Sequence, residues 1–323
     1  MIINAVSNES NFAYYCNGVN DDAVLITFIT NLRNRGFSNF NIDIIGNFKN
    51  SQPVAIDNTG YTQITLDFKK CNRITSVGSF LNVKNVRVKN CAVYHQNNAN
   101  DIDVVTFTGE NSVFENCRIT GGIRSGSCYG FKLTDCKVIN CDCELNNNGG
   151  LIYGIYGSGL TVQGCNISVL SVTASAYGIE TTGSFVSDSR FKGETGSNAT
   201  TASGNGGIGG GYYTNCLFVG LGGLKGQGFY IRAGAWLTAP SCVFRGYSKN
   251  IATGWGTGIT GPNDSGITIM LLGINCNQIA VTGYSQSKAA ELPGGYGMVA
   301  GTFFTAPAIA ETIEATTYNR NRS

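Results

Sequence analysis

Residues 111–120 read NSVFENCRIT: two apolar residues, Asn116, Cys117, one charged residue, then Ile119. Related phrases return at 132–139 (KLTDCKVI), 161–168 (TVQGCNIS), 212–219 (YYTNCLFV) and 239–246 (APSCVFRG). Aligned on the cysteine, they form a series of Cys71, Cys91, Cys117, Cys136, Cys165, Cys216, Cys242 and Cys276, with Ser189 in the slot between Cys165 and Cys216. The gaps run from 19 residues (117 to 136) to 34 (242 to 276), the range of one solenoid turn with variable loops. Before the cysteine stands Asn90, Asn116, Asp135, Gly164, Asp188, Asn215 or Ser241, types that accept a left-handed backbone or bond to their own main chain. Two positions after it stand Val93, Ile119, Val138, Ile167, Phe191, Phe218 and Phe244. The phrase therefore reads as a corner, where a strand bends at one Asn-like residue and resumes with the cysteine inward. Coils stacked at roughly 4.8 Å turn each such position into an internal ladder, and cysteine is compact and apolar enough to fill one.

A second signal lies ten residues upstream of the corner: Phe107, Ile155 and Ile179 precede Cys117, Cys165 and Ser189 by that distance and belong to an earlier strand of each coil. Residues 228–234, GFYIRAG, supply the corresponding strand in the coil ending at Cys242. Three strands per coil follow. An antiparallel sandwich would instead show turns every 8–12 residues.

Composition agrees with β structure rich in turns: 44 glycines against five prolines in 323 residues. A net charge of +2 with 13% charged residues gives no reason to expect nucleic acid as partner, and no apolar run is long enough for membrane insertion. The N-terminus lacks the pattern of an export signal, so the twelve cysteines read as reduced core residues, with a disulfide ladder as the competing reading. Cys141 and Cys143 have no neighbouring ligand for zinc; no metal and no cofactor is expected.

The entry differs from the rest. Asn20 and Asp21 can cap a helix over 22–34 with Val24, Leu25, Phe28, Ile29 and Leu32 on one stripe; Gly36 ends it and FNIDIIG continues as a strand. The three-strand coil, the Asn corner and this entry together resemble the right-handed parallel β-helix of pectate-lyase-like proteins and phage tailspikes. The Gly-Asp-Gly signature of that entry is absent. The expected fold class is all-β, a single-stranded right-handed parallel β-helix solenoid with an N-terminal capping helix. Its expected divisions are an entry over 1–50, the β-helix over 51–284, and a cap or oligomerisation tail over 285–323.

The resemblance implies that ligands meet the outer face of the first strand and the loops before it. Thr108, Tyr156, Glu180, Tyr230 and Arg232 are placed outward there; Asp101, Asp103, Asp142, Glu144 and Glu194 are the other acids near that face. A glycosidase needs two carboxylates about 5–9.5 Å apart, so Glu180 with Asp142 or Glu144 from the preceding loops is the catalytic candidate, and for a lyase Arg232 would steady the developing charge. Neither the polygalacturonase nor the pectate-lyase catalytic motif can be matched. Tyr156, Tyr230, Arg232, Asp103 and Tyr153 are the ligand-binding candidates, the tyrosines offering flat rings to sugars. His95 reads as a surface residue of an Asn-rich loop, and Arg118, Lys137 and Arg190 as an outward basic stripe. The resemblance implies a virion appendage (tailspike, tail fibre or head fibre), homotrimeric, located in the virion with other virion proteins and binding a bacterial cell-surface glycan. A polysaccharide-degrading hydrolase or lyase is the competing reading, and a purely structural virion element a third.

Overall fold

The computed structural model describes residues 10–303 except 51, 77, 96–102, 124–125, 198–201, 233–234, 250–254, 261–267, 277–278 and 281–296. The fold is all-β with a single helix among the described residues, and every strand pairing is parallel. It is a parallel β-solenoid with three strands per coil. The coil around the opening phrase is typical: Val104–Glu110 lies in a first sheet, Val113–Glu115 in a second and Arg118–Ile123 in a third. The next coil repeats it with Cys128–Thr134, Lys137–Ile139 and Asp142–Asn147 in register.

Each of these coils has two sharp corners rather than the one expected. Asn111 (φ 49°) and Asn116 (φ 53°) are both left-handed, as are Asn85 with Asn90 and Asp135 with Asn140. Asn and Asp tolerate this region because their short polar side chains bond locally. At the second corner the side chains also join successive coils: Asn116 donates to Asn90 Oδ1 at 3.3 Å, and Asn90 to Asp67 Oδ1 at 2.8 Å.

The second corner explains one slip in the sequence alignment. The residue after it forms an inward ladder of Cys91, Cys117, Cys141, Cys165, Ser189, Cys216 and Cys242, joined by bonds such as Asp142 N to Cys117 O (2.9 Å) and Asn166 N to Cys141 O (3.0 Å). Cys136 belongs instead to the first corner, in a column of Ser112, Cys136, Leu160 and Ser184. Val138 moves with it into the second sheet, opposite Phe114 and Val162, and Cys143 takes its place in the third. Of the eleven cysteines whose side chains are described, nine are buried and all eleven are free thiols; the side chain of Cys276 lies outside the described residues. Phe107, Phe131, Ile155 and Ile179 stack as one inward column, as expected for the upstream strand.

The helix Asp21–Asn34 packs on Asn39–Lys49 and Val54–Asp57 through Leu25, Ile29 and Leu32, one face at i, i+4 and i+7. Asn20 stands at its N-cap without a side-chain bond to the helix. Asp21 is buried and does other work: it accepts from the backbone N–H groups of Asn17 (2.7 Å), Gly18 (3.1 Å) and Lys49 (2.9 Å), tying the entry turn to the first coil. Asp22 likewise accepts from Gln52 N at 2.7 Å.

Most of the expected tail, 285–323, lies outside the described residues. The strand Gly297–Phe303 within it pairs in parallel with Thr268–Cys276.

Candidate functional site

On the first sheet the chain repeats a four-residue phrase: YGFK at 129–132, YGIY at 153–156 and YGIE at 177–180. The glycine is needed because the coils approach there; a Cβ on Gly130 would stand 2.7 Å from Gly154 O, and one on Gly154 2.5 Å from Gly178 O. The following residue points inward, and the fourth points out. Register then stacks the outward residues into a column of Asn82, Thr108, Lys132, Tyr156, Glu180, Ile208 and Tyr230. Two residues further along each strand runs a parallel column of Lys84, Glu110, Thr134, Ser158 and Thr182. Between and over these columns lies a groove of about 590 Å³, closed at one end by Arg232 and bordered at the other by Asp57.

Two ion pairs tie the groove. Lys84 Nζ stands 2.9 Å from Glu110 Oε1. Arg232, just past the strand Lys225–Ile231, reaches back over two coil steps to pair with Glu180. Glu180 is 7% exposed; burial pushes its carboxyl above the usual carboxylate range, and the Arg232 guanidinium offsets part of that rise. Lys132 sits 5.1 Å from the centre of the Tyr129 ring and forms no ion pair among the described residues.

Along the margin of the groove the tyrosines of the phrase stack on one another. Tyr129 and Tyr153 are 4.8 Å apart and 5° from parallel, Tyr153 and Tyr177 4.8 Å and 17°. Tyr156 meets Tyr129 and Tyr153 edge-on. Both faces of Tyr153 are therefore covered, so it offers an edge and a hydroxyl rather than the flat ring expected. Burial raises the phenol pKa of Tyr129, Tyr153 and Tyr177, leaving each a neutral donor at ordinary pH.

Thr108, Tyr156, Glu180 and Tyr230 thus share one outward column, and Arg232 joins them. Asp103 lies at the edge of the first sheet, accepting from Ser127 N at 2.6 Å, outside the groove lining. Asp142 and Glu144 are not in loops before the first sheet; they face outward on the third, opposite Arg118 and Thr120. The structure does not bring them to Glu180. The acids that do line the groove are Asp57, Glu110 and Glu180. Glu110 is three coil steps from the row of Glu180, roughly 14 Å, beyond the separation a glycosidase pair requires. Asp101 lies outside the described residues, and Glu194 is held on the third sheet by Lys192 (3.0 Å) and Lys249 (2.5 Å).

Two further expectations are corrected. His95 is buried, its Nε2 2.7 Å from Thr106 Oγ1, and burial lowers its pKa to about 4. The basic stripe dissolves: Arg118, Asp142, Asn166 and Arg190 form one outward column, with an acid among them, while Lys137 lies in the second sheet. Lys132 and the hydroxyl column of Thr134, Ser158 and Thr182 were not singled out from sequence; the 24-residue recurrence of the tyrosine–glycine phrase was the available signal.

No protein-family profile and no curated protein matches this chain. Among solved structures, a rhamnogalacturonan lyase is similar with a TM-score of 0.34 and 12% identity, covering 93% of this chain and 90% of that one. So loose a likeness bears on neither fold nor chemistry, and the reading below rests on the groove itself.

Proposed function

We propose that this protein binds an extended polysaccharide along the groove of its first sheet. One observation carries the reading: two columns of hydroxyl, amide and charged side chains repeat at the coil spacing of roughly 4.8 Å over successive turns. A rigid ladder of that kind suits an extended chain of hydroxylated units, because each coil presents polar side chains one step further on. The groove is close to neutral, since Lys84, Lys132 and Arg232 face Asp57, Glu110 and Glu180, which favours a neutral or weakly anionic glycan. The biological setting we propose is a virion appendage recognising a bacterial surface glycan, with the coil-and-corner sequence and its entry as support, and a homotrimer whose avidity multiplies weak single-site affinity.

Titration of the full chain against a panel of bacterial surface polysaccharides tests this. Saturable binding, weakened about tenfold by Lys132→Ala and unaffected by Tyr94→Ala outside the groove, is the expected result. A folded chain that binds none of them overturns the proposal. Light scattering tests the trimer, and the position of the gene among tail or capsid genes tests the setting.

The burial that raises the Glu180 carboxyl favours a second reading, a polysaccharide lyase or hydrolase in which Glu180 moves the proton. Product formation, measured as new reducing ends or unsaturated sugars and lost in Glu180→Gln, would support it over a binding role alone.

A further inference from the structure

The outward face of the third sheet changes character along the stack. Its columns read Asp142, Asn166, Arg190, Leu217, Val243; then Glu144, Ser168, Lys192, Val219, Arg245; then Asn146, Leu170, Glu194, Leu221, Tyr247. Each column is mostly polar at first and largely apolar in its last two places. Leu217, Val219, Leu221, Val243 and Tyr247 form a cluster separate from the interior one that holds Phe218 and Phe244. They point away from the interior, yet Val219 is 0% exposed, Leu221 2% and Tyr247 2%, and Arg245 among them is 1% exposed. The described elements in contact with Leu217–Gly222 and Val243–Ser248 are their ladder neighbours and the strands across the interior. No other described helix or strand packs on these two strands.

We propose that residues 304–323 of the same chain lie along this face. The described chain ends in the right place: Phe303 pairs with Cys276, which pairs with Phe244, which pairs with Phe218, so the tail departs from the third sheet itself. Phe303 is two coil steps, roughly 10 Å, from the row of Val243, and a tail of 20 residues spans up to about 66 Å when extended. By contrast, 261–267 and 281–296 each connect a strand of the first sheet to one of the second, and 250–254 connects the third sheet to the first over only five residues. The tail also has matching chemistry. Ile309 and Ile313, set among alanines, suit the apolar cluster.

A diazirine analogue of leucine placed at Leu221 in the full chain tests this, with equal amounts of ¹⁴N- and ¹⁵N-labelled protein mixed before photolysis. The expected result is crosslinking to peptides of 304–323 within isotopically matched chains. Crosslinks to 250–267 or 281–296, or crosslinks that mix isotopes and so report a neighbouring copy, overturn it. As a second measurement, the chain truncated after Phe303 should lose the protection of Tyr247 against iodination while Tyr213, inside the cylinder, stays protected. Unchanged protection of Tyr247 in the folded truncated chain also overturns it.

Discussion

The third sheet is built in two opposite ways in its earlier and later coils. In the earlier coils the inward column carries Leu145 and Val169 and the outward columns carry Glu144, Ser168 and Lys192. The inward column turns to glycine at Gly193, beside Lys192, and continues as Gly220 and Gly246 in the later coils, where the outward ones become Val219 with Arg245 and Leu221 with Tyr247. The consequence is visible in the backbone. A Cβ on Gly220 would stand 1.9 Å from Gln227 O, and one on Gly226 1.9 Å from Tyr247 O, so the first and third sheets touch main chain to main chain. At this one column the later coils give up inward side chains and gain buried apolar ones outside, while Phe218, Phe229 and Phe244 keep the rest of their interior apolar. One strand register thus supports two kinds of core, because side chains alternate between faces at every residue.

The comparison breaks most severely at the glycine contact. Gly220→Val pushes a branched side chain into the opposing main chain, which cannot swing aside. We expect more than the ~1–3 kcal/mol of ordinary overpacking, read as loss of the later coils in denaturant unfolding followed by limited proteolysis. Next in size is the outward face: Val219→Asp buries a charge and should cost about 3–5 kcal/mol. Ser168→Asp, two steps earlier in the same column, should stay within ~0.5 kcal/mol. Equal costs for the two would mean the faces do not differ.

Acid separates the two halves in a third way, since the single histidine, His95, is enclosed in the earlier coils. Its folded pKa of about 4 lies below its unfolded value of ~6.5. The unfolded chain therefore takes up the proton first, so the stability His95 contributes is full above ~6.5 and is lost as pH falls through 4. About 3 kcal/mol is at stake, and His95→Gln should flatten that part of the stability–pH curve. The smallest effect is expected at the exposed Lys84–Glu110 pair, where solvent screens the attraction and Lys84→Met should leave the denaturant midpoint essentially unchanged.

The solenoid was legible because the second corner constrains chemistry so tightly that a small inward residue recurs there, Cys117, Cys141, Cys165 and Ser189 at equal steps. The first corner was not, because Ser112, Cys136, Leu160 and Ser184 satisfy the same geometry with dissimilar side chains. Reading Cys136 as a second-corner residue shifted the coil by five positions, which moved Asp142 and Glu144 from the third sheet into a supposed loop. Glu180 was legible as an outward acid from the phrase it closes. Its pairing with Arg232 was not, since that contact exists only once coils 52 residues apart in sequence are stacked. His95 misled because a hydroxyl from the next coil, on Thr106, makes its burial possible, and that partner is invisible without the register.

The most direct test of this two-part cylinder is hydroxyl-radical footprinting of Leu170 and Leu221, which occupy one outward column two coil steps apart. Leu170, partly exposed, should be oxidised readily in the native protein, and Leu221 should be protected until the chain unfolds. Equal labelling of the two leucines under native conditions would contradict the account.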